Sequence, residues 1–430
     1  MKYYIQIFGC QMNKSDAERV ASLLESIGYK AVNKKEQADL IVIVSCSVRQ
    51  SAENRVYSLI HQIKKLKVKN SKLRIVLSGC MAVQKEIIKK LKEVDIFLNI
   101  KDLQKLPALL DKKSVNNAVE SYFSIKPKYE NSFTAYVPIM TGCNNFCAYC
   151  IVPYVRGREE SRDPQEIINE VKDLLKQGYK EIFLLGQNVN SYQPNPTINN
   201  EQLTIKDFPD LLETIAKIKG DFWVRFLTSH PKDFSDKLIK VISKYDKLTE
   251  YINLPIQSGD DQILKNMNRN YTVSQYKKLV QKIRKNIPNV SLSTDVIVGF
   301  PGETKKQFAN TCQLFKEIKF DMAYVNQYSE RKGTAAAKLK DSVSKAEKKN
   351  RDKLLTSILV KTALENNKKL IGKKLEVLVD YKKKDNYLGK TRGFKVVKFK
   401  SSKNLLGKFV IIKAAEAGSF GLVGELVEPV

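Results

Sequence analysis

Short apolar runs alternate with amphipathic stretches over the first 110 residues of the chain. The runs Tyr3–Phe8, Leu40–Val44 and Leu73–Leu77 have the length and the β-branched content of buried strands. Between them, Lys14–Ile27 and Ser51–Leu66 carry apolar residues at three- and four-residue spacing, which predicts helices. Strands and helices that alternate in this way predict βαβ units around a parallel sheet.

The alternation stops at a polar stretch, Asp111–Asn131, which we interpret as a linker. It resumes with six predicted strands: Thr134–Met140, Glu181–Leu185, Trp223–Thr228, Tyr251–Pro255, Ser291–Val298 and Met322–Tyr328. The predicted helices between them include Pro164–Gln177, Pro209–Ile218, Thr272–Lys285 and Lys305–Ile318. Six parallel strands with helices outside predict an open, partial (β/α)6 barrel.

The pattern changes again towards the end of the chain. Thr334–Lys369 is basic, contains no Gly or Pro, and is predicted to be a long helix. Residues 371–430 contain short alternating runs separated by Gly and polar turns, at Leu375–Tyr381, Lys395–Phe399, Phe409–Lys413 and Leu422–Val427. They predict a small antiparallel β-barrel. We therefore expect an α/β protein with three domains, at residues 1–115, 129–360 and 361–430.

Composition narrows the class of protein. The 430 residues are 43% hydrophobic and 28% charged, as in a globular protein, and no apolar run is long enough to span a membrane. The start of the chain has no signal-peptide pattern, so we expect a cytoplasmic protein without a membrane partner. In that compartment the seven cysteines are not expected to form a disulfide framework.

The excess of basic residues suggests that the protein binds an acidic partner. Lys and Arg number 75 against 46 Asp and Glu, a net charge of +29. Nucleic acid is the first expectation and an anionic membrane surface the second. A compositional drift towards Lys and Asn would explain the same excess without any function.

Three cysteines follow the first predicted barrel strand with the spacing C-x3-C-x2-C, at Cys143, Cys147 and Cys150. Thiolates on one tight loop can face a single point, and soft sulfur ligands favour iron-sulfur clusters or zinc. Three thiolates on a four-iron cluster would leave one iron open to a small molecule. The alternative is a zinc knuckle, which needs a fourth ligand nearby, whereas the nearest His is His230.

Three further cysteines, Cys10, Cys46 and Cys80, come within three residues after the ends of three predicted N-terminal strands. The carboxyl ends of parallel strands meet at one edge of a sheet, so we expect these thiols to converge as a second open-sided triad. The alternative is three buried core thiols. The seventh cysteine, Cys312, shares an apolar helical face with Phe308 and Phe315 and is interpreted as packing.

With both triads placed, the chain resembles the methylthiotransferases of the radical S-adenosylmethionine superfamily along essentially its whole length. The first cysteine spacing is that of the superfamily, and Tyr149 before the last of these cysteines fits it. The other matching motifs are Phe8-Gly-Cys-Gln-Met-Asn13, Ser78-Gly-Cys-Met81, Ile151-Val-Pro-Tyr-Val-Arg-Gly-Arg-Glu-Glu-Ser-Arg162, Gly186-Gln-Asn-Val-Asn-Ser-Tyr192, Leu254-Pro-Ile-Gln-Ser-Gly259 and Asp295-Val-Ile-Val-Gly-Phe-Pro-Gly-Glu303. The last 60 residues are similar to the family's TRAM domain, a small RNA-binding barrel.

The resemblance implies two [4Fe-4S] clusters, one on Cys143, Cys147 and Cys150 and an auxiliary one on Cys10, Cys46 and Cys80, together with S-adenosylmethionine. The first cluster would reduce S-adenosylmethionine to give a 5′-deoxyadenosyl radical that activates carbon 2 of an adenine. The second would supply sulfur, and a second S-adenosylmethionine the methyl group. Two clusters acting on one substrate imply that the N-terminal domain caps the mouth of the barrel.

Within this family, the chain resembles most closely the branch that adds a methylthio group to carbon 2 of N6-isopentenyl-adenosine beside the tRNA anticodon. The alternative branches act on threonylcarbamoyl-adenosine in tRNA or on an aspartate of a ribosomal protein. A departure from the first branch is Asn253, where it commonly has His. Implied partners are the tRNA anticodon stem-loop, an electron donor such as flavodoxin or ferredoxin, and a sulfur source, with the enzyme a monomer. The non-enzyme hypothesis is an RNA-binding iron-sulfur sensor, against which the presence of all six cysteines counts.

The polar residues at the ends of the barrel strands are candidates to line the pocket for S-adenosylmethionine and the base. Beside Tyr149 these are Gln187, Asn188, Gln257, Ser258 and Asp295. Each could instead cap a helix or hold a loop.

Cationic residues in two regions are candidates for RNA contacts. Arg156, Arg158 and Arg162 follow the cysteine loop, and Lys390, Arg392 and Lys395 lie in the C-terminal barrel. Residues 361–430 hold 16 Lys and Arg against seven Asp and Glu, interleaved with aromatics that suit unpaired RNA bases. A solvated turn and a lysine-rich hairpin are the respective alternatives.

Overall fold

The computed structural model describes residues 1–48, 50–111, 121–195 and 205–429. The chain divides into two compact units. Unit 1 comprises Met1–Asn131, Tyr136–Asn145 and Cys150–Arg162, and unit 2 comprises Ser132–Ala135, Phe146–Tyr149 and Asp163–Val430. The three predicted domains do not coincide with these units, and their boundaries stay a prediction. The middle of the predicted linker, residues 112–120, lies outside the described residues.

Unit 1 is built on a five-stranded parallel sheet with the order β2-β1-β3-β4-β5. Its strands are β1 (Lys2–Phe8), β2 (Lys30–Ala31), β3 (Leu40–Ser45), β4 (Arg74–Gly79) and β5 (Ile96–Leu98), and its helices are α1 (Gln11–Ser26), α2 (Gln50–Lys69), α3 (Lys85–Lys90) and α4 (Leu106–Leu109). Every residue of β3 is buried, as expected of a parallel strand covered on both faces. The predicted βαβ arrangement is confirmed, and the short strands β2 and β5 were not predicted.

The next part of the chain carries six strands of the predicted partial barrel: β6 (Thr134–Pro138), β9 (Glu181–Leu185), β10 (Trp223–Leu227), β11 (Tyr251–Asn253), β12 (Ser291–Val298) and β13 (Met322–Gln327). They form two three-stranded sheets, ordered β10-β9-β6 and β11-β12-β13. An isolated parallel bridge joins Val224 of β10 to Leu248, which precedes β11. All six predicted barrel strands are confirmed. A hairpin of β7 (Met140–Thr141) and β8 (Glu160–Ser161) flanks the cysteine loop.

The helices of this region are α5 (Val152–Val155), α6 (Pro164–Lys176), α7 (Phe208–Ala216), α8 (Asp236–Lys244), α9 (Asp261–Asn266), α10 (Val273–Asn286) and α11 (Lys305–Ile318). Local sequence fixes their starts. Asp163 and Asp207 cap α6 and α7 ahead of a proline in the first turn, while Thr272 and Thr304 form capping boxes with Gln275 and Gln307. Cys312 is buried on α11 with Phe308 and Phe315, as predicted.

The predicted helix at Thr334–Lys369 is shorter in the structure. Helix α12 covers Lys345–Lys368, because the Ser344 side chain accepts a hydrogen bond from the Glu347 backbone N–H and caps the helix there. The C-terminal strands β14 (Lys374–Lys383), β15 (Asn386–Thr391), β16 (Val396–Lys400), β17 (Phe409–Gly418) and β18 (Gly421–Pro429) close into a barrel. The barrel is antiparallel except that β16 and β18 pair in parallel, a difference from the prediction.

Candidate active site

Three thiols of unit 1 follow the ends of three adjacent parallel strands. The register aligns Phe8 with Ser45, and Ser45 with Gly79. Cys46 and Cys80 therefore come directly after paired strand-end residues, and Cys10 comes two residues after the third. Since neighbouring strands lie about 4.8 Å apart, this register gathers the three cysteines at one edge of the sheet.

The close approach of these strand ends depends on two glycines. Gly79 has a φ of +85°, and an added Cβ would lie 2.3 Å from the Ser45 backbone oxygen. At Gly9, an added Cβ would lie 2.9 Å from the Cβ of Cys46. Any larger residue would push apart the turns that carry the thiols.

Asn13 connects two of these turns. Its Oδ1 accepts hydrogen bonds from the backbone N–H and the thiol of Cys10, at 3.4 and 3.3 Å. Its Nδ2 donates to the Ser45 backbone oxygen at 3.1 Å. The side chain thus holds the Cys10 turn against the end of β3.

A buried ion pair lies beside the same thiols. Arg156 Nη2 is 2.6 Å from Asp16 Oδ2, and both side chains are buried; the Tyr122 hydroxyl donates to Asp16 Oδ1 at 2.7 Å. The charge of Arg156 is close enough to Cys10 and Cys80 to act on both thiols, of which Cys80 is buried and Cys10 is exposed. The sequence suggests that Arg156 faces RNA phosphates or the substrate, but the structure buries its guanidinium inside unit 1.

The segment after Cys150 packs onto the third of these thiols. Ile151 and Val155 form a small apolar cluster with Cys80. Arg162, another residue predicted to contact RNA, is also buried, and its guanidinium carbon lies 5.8 Å from the centre of the Phe123 ring. Among the described residues, no group of three His, Cys, Asp or Glu side chains is arranged to hold a metal ion. The assignment of these thiols to a cluster therefore depends on donor chemistry and convergence.

The C-x3-C-x2-C loop lies between β7 and α5. The Cys143 backbone N–H donates to the Gly157 oxygen at 3.2 Å, and Asn145 Nδ2 is 3.6 Å from the Cys143 sulfur. Cys143 and Cys150 belong to unit 1, whereas Cys147 and Tyr149 belong to unit 2. Cys147 is buried, and the other two cysteines are partly exposed.

A buried arginine that sequence reasoning missed lies against Cys147. Arg269 Nη1 is 3.8 Å from the Cys147 sulfur and 3.4 Å from the Tyr149 hydroxyl. Its Nη2 donates to the Pro255 backbone oxygen at 2.6 Å, and its Nε donates to the Tyr271 hydroxyl at 2.6 Å. The guanidinium is therefore fixed on all sides.

His230 follows β10 and stacks edge-on against Tyr271, with ring centres 5.5 Å apart. Burial lowers the pKa of His230 to about 2, and the nearby charges of Arg269 and Lys232 act in the same direction. The imidazole is therefore neutral at physiological pH. The Tyr271 hydroxyl in turn donates to the Ile256 backbone oxygen at 2.9 Å. Tyr271 thus contacts both His230, after β10, and Ile256, after β11.

Buried polar atoms without a partner concentrate at the carboxyl ends of β9, β10 and β11. These are Gln187 Oε1, Asn188 Oδ1, both polar atoms of the Asn190 side chain, Ser229 Oγ and Asn253 Oδ1, while others among the described residues, such as Gln104 Oε1 and Asn367 Oδ1, lie elsewhere. Leaving a buried polar atom without a partner costs about 1–3 kcal/mol, so such a concentration indicates a place where a polar ligand supplies the missing bonds. Ser229 and Asn190 were not predicted as site residues.

The other predicted pocket residues have mixed surroundings. Gln257 has a φ of +71°, a strained conformation that is typical of functional positions in a non-glycine residue. The Ser258 hydroxyl accepts from the Asp260 backbone N–H at 3.3 Å, which is a loop-holding contact. Asn253 Nδ2 lies 3.2 Å from Asp295 Oδ2, so the residue that departs from the family pattern directly contacts a predicted pocket residue.

The predicted RNA contacts of the C-terminal barrel have partners within unit 2. Arg392 pairs with Glu250 at 2.8 Å, and Lys395 pairs with Asp321 at 2.7 Å. Lys390 pairs with Asp380 at 2.9 Å. Arg392 and Lys395 thus bind the C-terminal barrel to the strands and loops of the central region.

No helix among the described residues is long and apolar enough to cross a membrane. Residues 137–315 match the family described as the radical SAM superfamily, and residues 2–99 match an uncharacterized protein family, UPF0004. Among solved structures, the chain is similar to a radical S-adenosylmethionine methyltransferase, TsrM, from Kitasatospora setae, with a TM-score of 0.54 and 11% identity over 78% of this chain and 77% of that one. This likeness supports the fold.

Two relatives align along essentially the whole chain. The tRNA-2-methylthio-N(6)-dimethylallyladenosine synthase of Clostridium novyi is 43% identical over 99% of this chain and 96% of its own length. The protein of that name from Dictyoglomus thermophilum is 43% identical over 100% of this chain and 99% of its own length. The chain therefore belongs to the family of the tRNA-2-methylthio-N(6)-dimethylallyladenosine synthases, within the radical S-adenosylmethionine enzymes.

Proposed function

We propose that this enzyme adds a methylthio group to carbon 2 of N6-isopentenyl-adenosine beside the anticodon of tRNA. The observation that carries the proposal is the convergence of Cys10, Cys46 and Cys80 on one sheet edge. It occurs in a chain that also has the C-x3-C-x2-C loop and matches its relatives from end to end. A radical enzyme that inserts sulfur needs a second thiolate-bound centre, and this triad would supply its ligands.

Each triad has the donor chemistry of a four-iron cluster with one open position. Cys143, Cys147 and Cys150 would hold the cluster that binds S-adenosylmethionine, and Cys10, Cys46 and Cys80 the auxiliary cluster. When bound, the two clusters supply the radical chemistry and the sulfur. The chain's own part is to hold the six thiolates and to bind S-adenosylmethionine and the adenine. The unpartnered atoms of Gln187, Ser229 and Asn253 are suited to that binding.

RNA binding is assigned to an exposed row on the C-terminal barrel, which we call the tyrosine-lysine row. Strand register places Tyr381, Leu388, Lys398 and Val423 side by side across β14, β15, β16 and β18. Tyr381 and Val423 are 50% and 41% exposed. The adjacent buried residues Tyr387, Val397 and Leu422 face the barrel interior, so the row lies on the outer surface.

Exposed lysines flank this row. Lys383 on β14 and Lys400 on β16 are both cross-strand partners of Asn386 on β15, which lies two residues from Leu388 of the row. Among the residues that the structure describes, Lys383, Lys398 and Lys400 form no ion pair. An exposed aromatic ring between free lysines suits stacking on an unpaired base together with contacts to phosphates.

The same proposal includes the three domains at 1–115, 129–360 and 361–430 and a cytoplasmic monomer. Reduction of the clusters requires an electron donor, for which a flavodoxin or a ferredoxin is suited. Replacement of the sulfur consumed in each turnover requires an external sulfur source. The unpaired lysines support tRNA as the macromolecular partner.

The test is nucleoside analysis by liquid chromatography and mass spectrometry of tRNA from a deletion strain complemented with wild-type or Cys80→Ala protein. Methylthio-isopentenyl-adenosine should return with the wild type and not with the variant. Unchanged levels of this nucleoside after deletion would contradict the proposal. Loss of methylthio-threonylcarbamoyl-adenosine, or of the methylthio group on a ribosomal-protein aspartate, would instead identify one of the other branches.

A further inference from the structure

A helix end places Arg269 beside the cysteine loop. Helix α9 ends at Asn266 with Met267 as its C-cap, and the left-handed residue Asn268 follows with a φ of +55°. The Asn268 N–H donates to the Lys265 oxygen and the Arg269 N–H to the Leu264 oxygen, both at 2.9 Å. These two bonds form a Schellman motif, in which the position of Arg269 commonly holds an apolar residue. An arginine there is unusual.

The turn Met267–Arg269, which we call the clamp, holds the cysteine loop at consecutive points. The Ala148 N–H donates to the Met267 oxygen at 2.9 Å. Asn268 Nδ2 donates to the Phe146 oxygen at 3.0 Å. Arg269 Nη1 then reaches the sulfur of Cys147, between these two backbone contacts. The clamp therefore fixes both the backbone around Cys147 and its sulfur.

The charge of Arg269 faces no carboxylate in the part of the chain that the structure describes. Its partners are a backbone oxygen, two tyrosine hydroxyls and the Cys147 sulfur, and among the described residues no carboxylate pairs with it. Only 6% of the residue is exposed. Three other buried arginines, Arg156, Arg225 and Arg351, each pair with a carboxylate. A buried charge without a counter-charge is unfavourable, so an anion at Cys147 would stabilise this guanidinium.

We propose that Arg269 is a positioning residue that orients Cys147 and supplies the counter-charge to the iron-sulfur cluster bound there. The inference rests on the proposed assignment of Cys147 as a cluster ligand. Hydrogen bonds to the sulfurs and the net charge nearby set the reduction potential of such clusters. A positive charge and an N–H donor both stabilise the more negative, reduced cluster. Arg269 therefore raises the midpoint potential of this cluster.

The test measures that potential in the full-length chain by titration followed with electron paramagnetic resonance. The variants are made in a Cys10→Ala/Cys46→Ala/Cys80→Ala background, so that only the cluster of the C-x3-C-x2-C loop remains. Arg269→Gln should shift the midpoint to more negative values with iron retained. Arg269→Lys, which keeps the charge, should shift it less, and Tyr271→Phe, which removes one support of the guanidinium, should also shift it in the negative direction.

Arg351→Gln is the matched control, because Arg351 is equally buried but pairs with Glu303 and Glu347. It should lower stability and leave the midpoint unchanged. An unchanged midpoint potential in both Arg269→Gln and Tyr271→Phe would overturn the inference. This holds even if these variants bind S-adenosylmethionine less tightly, because the inference concerns the potential of the cluster. Full iron in Cys147→Ala would instead contradict the ligand assignment, which distinguishes failure of the inference from failure of the proposed function.

Discussion

Arg225 and Glu181 form a buried ion pair in which Nε lies 2.6 Å from Oε1. Arg225 Nη1 also donates to the backbone oxygen of Arg392, and Nη2 to that of Thr391 at 2.8 Å. The Arg225 side chain on β10 therefore pairs with a carboxylate of β9 and also donates hydrogen bonds to two backbone oxygens in a turn of the C-terminal barrel. The guanidinium carbon also lies 5.0 Å from the centre of the Phe394 ring in that turn.

Arg225→Gln is expected to lower the free energy of unfolding by about 3–5 kcal/mol, because Glu181 would be left buried without its counter-charge. Two backbone acceptors of the C-terminal barrel would lose donors at the same time. Chemical denaturation of the anaerobically purified protein measures this loss, and limited proteolysis between residues 361 and 430 reports release of the barrel.

The control is Arg74→Gln. Arg74 pairs with Asp111 at 3.0 Å, but the Asp111 side chain is 87% exposed. Exposed pairs contribute about 0–1 kcal/mol, so this variant should be close to the wild type. Equal losses of stability in the two variants would contradict the role assigned to Arg225.

Iron content should distinguish cysteines that look alike in burial. Cys80 and Cys312 are 3% and 8% exposed, yet only Cys80 lies at the sheet edge with the other thiols. Anaerobic reconstitution should give about eight irons per wild-type chain, about four in Cys80→Ala and about eight in Cys312→Ala. Colorimetric iron and sulfide analysis measures this. Four irons in the wild type would remove the auxiliary cluster from the proposal.

The strand ends that carry one set of cysteines were predictable from sequence. Cys10, Cys46 and Cys80 each follow an apolar run, and the register of a parallel sheet brings such positions together. The six barrel strands are predictable for the same reason, since buried β-branched runs are strong local signals. The sequence does not show which polar residues at the strand ends lack hydrogen-bond partners, because those partners come from segments that are distant in the sequence.

The roles of the cations were not predictable. Arg156 follows the cysteine loop and Arg392 lies in a basic barrel, so both look like phosphate contacts in sequence. Their partners, Asp16 and Glu250, are 140 and 142 positions away. Arg269 had one local signal, the Asn before it that ends a short helix. Its contact with Cys147 across 122 positions is a product of tertiary structure.

Stability should depend on pH through Glu18 on α1. Glu18 is buried, and burial raises its pKa to about 7. The folded protein therefore binds a proton that the unfolded chain releases near pH 4.5. Protonated Glu18 therefore contributes fully to the free energy of unfolding below pH 4.5. This contribution is lost as pH rises to 7, and the free energy of unfolding falls by at most about 1.4 kcal/mol per pH unit.

Glu18→Gln should remove this dependence, since the amide stays neutral. The stability of the variant relative to the wild type should rise between pH 5 and pH 7.5, as measured by denaturant unfolding at both values. Glu36→Gln, at an exposed position, should show no such trend. A constant difference between Glu18→Gln and the wild type across this range would contradict the raised pKa.

Binding of tRNA should depend on Lys398 more than on Lys413. Both lysines are exposed on the same barrel, but Lys398 lies in the tyrosine-lysine row, whereas Lys413 lies on β17, between the partners β14 and β18. Removing one phosphate contact should weaken binding and reduce the slope of log affinity against log salt by about 1. Lys398→Gln should show both effects in filter binding across a salt series.

Tyr381→Ala should weaken binding of tRNA without changing this slope, because base stacking releases no counterions. Equal losses in Lys398→Gln and Lys413→Gln would indicate that the net charge of the barrel, and not this row, attracts the RNA.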